Sequence, residues 1–150
     1  MFGSRVRANP AGTIAAELPV YFWTVPYVGE RYPGAPGVQG ITAGANCQQY
    51  AYEVLRYFGL QVPDLRSSEL WNDTGATARV ADYEPLDLLL FNSNAQSYGA
   101  HVGVYTGAAE IPHLCREVGK PVVWPVREFA AHPEYSTLVG AKRCLTSRRA

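Results

Sequence analysis

The strongest periodic signal in the chain runs from Asn46 to Gly59 (NCQQYAYEVLRYFG). Apolar side chains stand at 47, 50, 51, 54, 55 and 58, offsets that keep returning to one face of a 3.6-residue period. Asn46 is a favoured N-cap residue, and Gly59 is a favoured terminator just past the last apolar position. The pattern predicts a helix of about three turns with Cys47 as its first residue. A shorter helix is expected at 67–72 (SSELWN). Residues 26–44 hold many of the prolines and glycines, so a long irregular loop should deliver the chain to Cys47.

Beyond residue 85 the period shortens. Residues 86–91 (LDLLLF) form an apolar run after Pro85, and residues 100–106 (AHVGVYT) alternate. Val102 and Val104 fall on one face of that run, and His101, Gly103 and Tyr105 on the other. Gly107-Ala108-Ala109-Glu110 supplies a turn and 111–115 a return strand. Further strands are expected at 121–124 and 137–143, with a helical turn at 126–131 between them. One helix followed by several antiparallel strands is an α+β arrangement.

Composition narrows the function classes. A chain of 150 residues, 47% hydrophobic and 17% charged, suits one globular domain. The expectation is a single domain over 1–150, with 1–20 as an N-terminal extension and 144–150 as a basic tail. The local basic bias from Lys142-Arg143 to Arg148-Arg149 reads as a solvated end. With 13 basic and 13 acidic residues there is no surplus to displace nucleic-acid counterions, so no nucleic-acid partner is expected. No apolar run is long enough to span a membrane, and the first 20 residues lack the apolar core of a signal peptide. A cytoplasmic location is expected, with export by a dedicated secretion system as the alternative. Three widely spaced cysteines (47, 115 and 144) read as free thiols.

Cys47 has two readings from position alone. At a helix N-terminus, unpaired N–H groups should lower the thiol pKa and could stabilise an adjacent oxyanion. Equally, Cys47 could be a small buried residue on the apolar helix face. If 100–106 and 111–115 form a hairpin centred on Gly107, His101 and His113 lie six residues either side and face each other across the strands. One imidazole could then orient the other, the base-plus-orienter half of a triad, or the two could be partly exposed strand residues. His132, before Pro133, reads as surface. The three residues Cys47, His101 and His113 could also ligate zinc, although no short-spaced ligand pair accompanies them.

The order Cys at a helix start, then His101-Val-Gly-Val-Tyr-Thr-Gly107, then His113, resembles the NlpC family of papain-like cysteine peptidases. Val25-Pro26-Tyr27 resembles the Val-Pro-Tyr segment that precedes the family's nucleophile. Pro85-Leu86-Asp87-Leu88 resembles its Pro-Gly-Asp-Leu strand with Leu86 in place of Gly. The resemblance covers about residues 25–115. It implies an N-terminal helix bearing the nucleophile Cys47 packed on an antiparallel sheet, His101 as base and His113 as the third polar residue. It further implies Tyr27 near the oxyanion, beside the Cys47 backbone N–H. Where the family reads Asp-Cys-Ser-Gly, this chain has Asn46-Cys47-Gln48-Gln49, which sets two larger amides, Gln48 foremost, beside the expected substrate groove. Asn46–Tyr50 and Leu55-Arg56-Tyr57 are also similar to the lecithin–retinol acyltransferase relatives. In those relatives the catalytic His precedes the Cys, whereas His101 follows it here.

Three functions follow as expectations. The first is hydrolysis of amide bonds in bacterial peptidoglycan-type peptides through a Cys-His-His triad and an acyl-enzyme, without a cofactor. The second is acyl transfer by the same nucleophile to a lipid or amine, favoured by a dry groove lined by residues such as Trp23, Trp71 or Tyr98. The third is a binding module that keeps the fold without turnover.

Overall fold

The helix expected over 46–59 forms as α1, Cys47–Tyr57, in a computed structural model that describes residues 13–147. Residues 1–12 of the expected extension and 148–150 of the expected tail lie outside the described residues. Asn46 caps α1 as its composition requires, its side chain accepting the Gln49 N–H at 2.9 Å. Gly59 takes the left-handed position at the other end, with φ 90°. Tyr50, Ala51, Val54 and Leu55 are buried on the face the period marks, and the Tyr50 hydroxyl donates to the Phe22 carbonyl at 2.8 Å. Burial of four such side chains contributes roughly 1.5–3 kcal/mol for each large one.

Six strands follow: β1 Thr77–Val80, β2 Leu88–Asn92, β3 His101–Val104, β4 Glu110–Leu114, β5 Pro121–Pro125 and β6 Thr137–Cys144. Four of them make an antiparallel sheet in the order β1-β6-β2-β3, and β4 and β5 make a second, two-stranded sheet. The short helices are α2, Ser67–Asn72, and α3, Val126–Ala130. The unbroken apolar run of β2 has a simple cause: the strand is covered on both faces. Leu88 and Leu90 join Val102 and Val104 in the core shared with α1, while Leu89 and Phe91 join Ile111 and Phe129 in a second core.

The expected β-hairpin does not form as a ladder. The chain turns at 107–110, but β4 then leaves β3 and pairs with β5, from Glu110 opposite Pro125 to Leu114 opposite Pro121. It lies instead across the face of β3 that carries His101 and Gly103. A Cβ on Gly103 would stand 2.5 Å from Ile111 Cγ2 and 3.4 Å from His113 Cβ, so only glycine admits this approach. The antiparallel sheet of the sequence reading is therefore two sheets packed together.

The basic residues at 142–143 are part of the fold rather than a solvated end. Lys142 is fully buried in β6, and its ammonium donates to the Trp71 and Asp73 carbonyls. Arg143 grips the buried Asp87 carboxylate with two bonds of 2.9 Å, tying β6 to the corner before β2. At that corner Leu86 keeps φ 81°, the left-handed backbone that suits the glycine of the similar segment. The strand β1 carries too short an alternation to stand out in the sequence. It is set by Asp73, whose carboxylate accepts the Ala76 and Thr77 N–H groups and the Thr77 hydroxyl. Among the described residues no helix is long and apolar enough to cross a membrane.

The 107–110 turn puts two alanines at positive φ, 56° at Ala108 and 60° at Ala109, with Glu110 N–H bonded to the Gly107 carbonyl at 3.0 Å. Such a turn favours Asn-Gly. Ala109→Gly should raise the unfolding free energy by about 1 kcal/mol, read from urea denaturation; no gain would mean the turn is not strained.

Candidate active site

Cys47, His101 and Tyr27 meet at one cleft of about 500 Å³, together with Arg116, Glu117 and Tyr135. Each arrives by a different route. Cys47 comes with the start of α1. His101 comes with β3, where it sits opposite Phe91 of β2. Tyr27 is brought by the long loop, whose path is fixed by a bridge between Tyr27 and Ala45 and by Val28 N–H bonding to the Ala45 carbonyl at 2.9 Å. Gly44 is needed there, since a Cβ at that residue would lie 2.5 Å from Val28 Cγ2.

His101 Nε2 and His113 Nδ1 stand 2.8 Å apart, a direct hydrogen bond between two buried rings. The sequence pairs these histidines correctly, but face-to-face packing of β4 on Gly103 joins them, not a hairpin ladder. With Nε2 occupied, Nδ1 is the nitrogen of His101 left for a thiol. Tyr135, from the 3₁₀ turn Pro133–Tyr135, packs its ring 4.5 Å from that of His101, and its hydroxyl donates to the Glu117 carboxylate. Sequence reasoning missed Tyr135, Glu117 and Arg116. None belongs to a periodic pattern, and only the fold brings them beside His101.

The site is drier than a helix N-terminus suggests. Desolvation pushes the Cys47 thiol up to about 11, outweighing the backbone N–H groups of Val102, Gln48 and Cys47 that favour the thiolate. Burial of the sulfur thus opposes the lowering expected from the helix N-terminus, although Cys47 as a residue is only half-buried. Desolvation likewise pulls the His101 imidazole down to about 4, against the opposing pull of Glu117, and His113 down to about 2. At neutral pH the site holds a thiol and two neutral imidazoles. Burial, followed by the nearby Cys47, raises Tyr27, so its phenol keeps its proton. Burial works against the Glu117 carboxylate, but the Tyr135 hydroxyl, then its own backbone N–H and then Arg116 hold its pKa below the usual range.

Gln48 does not face the cleft. Its side chain is buried and donates to Tyr52 Oη at 3.2 Å and the Leu65 carbonyl at 3.1 Å. Gln49 donates to the Gly40 carbonyl at 3.1 Å. Both amides fasten α1 to neighbouring loops, and Gln48 reaches the thiol only through its backbone N–H. Nor do the aromatics expected of a dry acyl groove line the cleft. Trp23 packs against the main core, the Trp71 ring lies where Gly140 has no side chain, and Tyr98 is exposed. The aromatic side chains that do line the cleft are Tyr27 and Tyr135, and its wall mixes apolar surface with the polar residues Asn92, Ser93 and Glu134. His132 is not simple surface: it stacks on Trp124 at 4.3 Å and contacts Glu128 at 3.0 Å. Among the described residues no group of three His, Cys, Asp or Glu is placed to hold a metal ion, and Cys115 and Cys144 are buried free thiols.

No protein-family model matches the sequence, and no curated protein matches it. Solved structures share its fold. An NlpC/P60 family protein from Bacillus cereus ATCC 10987 matches with TM-score 0.54 at 20% identity, over 79% of this chain and 37% of its own. This chain therefore spans little more than a third of that protein's length. The NlpC/p60 domain of the peptidoglycan hydrolase SagA matches with TM-score 0.50 at 20% identity, over 73% of this chain and 84% of that domain. The peptidoglycan hydrolase RipB from Mycobacterium tuberculosis matches with TM-score 0.53 at 18% identity, over 93% of this chain and 73% of that one. The fold is that of NlpC/P60 domains, as the resemblance implied.

Two predictions follow from this geometry. Alkylation of Cys47 by iodoacetamide should be slow at pH 7 and climb with a midpoint above the free-thiol value of about 8.5, read by mass spectrometry; a plateau already reached below neutral pH would contradict a desolvated thiol. Gly103→Ala should cost about 1–3 kcal/mol in urea denaturation, because Ile111 is buried and cannot yield. The loss should be smaller in an Ile111→Ala background, and an equal loss there would place its origin elsewhere.

Proposed function

We propose that the chain is a cysteine amide hydrolase acting on peptides of the bacterial cell wall. The observation that carries this reading is the 2.8 Å bond between His101 and His113 at a cleft shared with Cys47, on an NlpC/P60 fold. Two of the similar solved proteins are peptidoglycan hydrolases, which supports the substrate class. The cleft supports it too: Arg116, Glu117 and Glu134 suit a charged peptide better than an acyl chain.

In this reading the resting thiol and imidazole are both neutral, so proton transfer accompanies attack. Cys47 Sγ bonds to the amide carbon as its proton passes to His101 Nδ1 and the carbonyl electrons move to oxygen. The oxyanion is met by the Cys47 backbone N–H and the Tyr27 hydroxyl, which stays protonated and can donate. Collapse expels the amine, which takes the proton back from His101. Water then attacks the thioester, returning a carboxylic acid and the free thiol. His113 holds the His101 ring throughout, and the imidazolium formed in passing feels the Glu117 carboxylate.

The test is incubation with cell-wall peptides and mass spectrometry of the products. Turnover should release new amine termini and should fall at least about 10³-fold in Cys47→Ala, with stability changed by no more than about 1 kcal/mol. Retained turnover in Cys47→Ala would remove the nucleophile. Transfer of the acyl group to an added amine or lipid in place of water would favour acyl transfer.

A further inference from the structure

Among the described residues one buried side-chain polar atom has no hydrogen-bond partner, and it belongs to His113: Nε2. Such orphans are rare enough in native structures to require a cause. The other ring nitrogen, Nδ1, is engaged with His101 Nε2 at 2.8 Å. The ring itself is 1% exposed, so solvent does not answer the orphan. Its remaining ring neighbours are aromatic. The Trp124 ring centroid lies 4.4 Å away at 65°, in an edge-to-face arrangement, and Phe129 lies 4.6 Å away at 47°.

Two neutral imidazoles sharing one hydrogen bond have two arrangements. In the first, His101 Nε2–H donates to His113 Nδ1. His101 Nδ1 is then a bare lone pair, and His113 carries its proton on the orphan Nε2. In the second, His113 Nδ1–H donates to His101 Nε2. His101 Nδ1 then carries a proton, and the orphan Nε2 is a bare lone pair. Only the first leaves His101 able to take a proton from Cys47. The aromatic surroundings separate the two. An N–H can rest against the negative face of a π system, whereas a lone pair at Nε2 would go without a donor, since no group is bonded to that atom, the Trp124 indole N–H included.

We propose that Trp124 and Phe129 are positioning residues, an aromatic cage that holds His113 as its Nε2–H tautomer and so keeps His101 Nδ1 bare for Cys47. The last step rests on the hydrolase reading; the tautomer itself does not. The cage is braced from both sides. Phe129 stacks on Phe91 at 3.9 Å and 4°, on the strand next to His101. His132 stacks on Trp124 at 4.3 Å and 11°, and is itself held by Glu128.

The test is long-range proton–nitrogen correlation spectroscopy of the full chain, labelled with nitrogen-15, near pH 7. In the wild-type protein both histidines should show a protonated Nε2 and a bare Nδ1. In Trp124→Leu and Phe129→Leu the opposite tautomer should gain several-fold, with kcat on a cleavable wall peptide falling in step and KM little changed. Trp124→Phe keeps a π face and should restore the wild-type pattern. A protonated Nδ1 on His113 in the wild-type protein would overturn the proposal without any variant, and so would an unchanged tautomer ratio in folded leucine variants. Because the spectra need no substrate, the expected tautomers in a protein that cleaves nothing would uphold the cage while removing the hydrolase reading.

Discussion

The close approach of β4 to Gly103 governs the site. Two strands of a sheet keep a fixed spacing through their backbone bonds, but two packed sheets are held apart by side chains, ordinarily about 10 Å. Removing one side chain lets Ile111 drop against the β3 backbone and brings His113 within bonding distance of His101. The rest follows from where β4 then runs. Its partner β5 supplies Trp124, the connection between them supplies Arg116 and Glu117, and α3 supplies Phe129 behind the imidazoles. A side chain as small as a methyl group at residue 103 competes with all of these at once.

Electrostatically the site is a contest between a helix end and burial. The positive end of α1 favours a thiolate by an amount that solvent and neighbouring dipoles limit to about 2 kcal/mol at most. Withdrawing an anion from water costs several kcal/mol after relaxation, so burial prevails and the resting groups carry no charge. Charge in the cleft is kept to Arg116, Glu117 and Glu134. A bound substrate that excludes more water would strengthen the pull of those charges on whatever develops at the centre.

The helix was legible in the sequence because three independent signals, the 3.6 period, the Asn46 cap and the Gly59 terminator, agree on its limits. The histidine pair was legible for a less secure reason. Counting outward from Gly107 identifies neighbours whether the two segments bond edge to edge or pack face to face, so the right contact emerged from a ladder that does not form. Gln48 and Gln49 were misjudged because their partners, the carbonyls of Leu65 and Gly40, lie on irregular segments that no period indexes. Lys142 misled through its charge: nothing local announces that two backbone carbonyls will receive a buried ammonium. Tyr135 and Glu117 are joined to His101 only through the completed fold.

The position of β6 in its sheet governs how the chain can assemble. It is the last of the described strands to be synthesised, yet it lies between β1 and β2. Until residues 137–144 have left the ribosome, β1 has no neighbour and β2 has one bare edge, so the sheet cannot close progressively from its N-terminal side. Threading a strand into the middle of a sheet is a high-contact-order step, slow compared with helix formation and exposed to mispairing while it waits. The buried Lys142 and the Arg143 grip on Asp87 both sit on that late strand. Each therefore acts as a latch on a nearly finished molecule, making closure hard to reverse once it has happened.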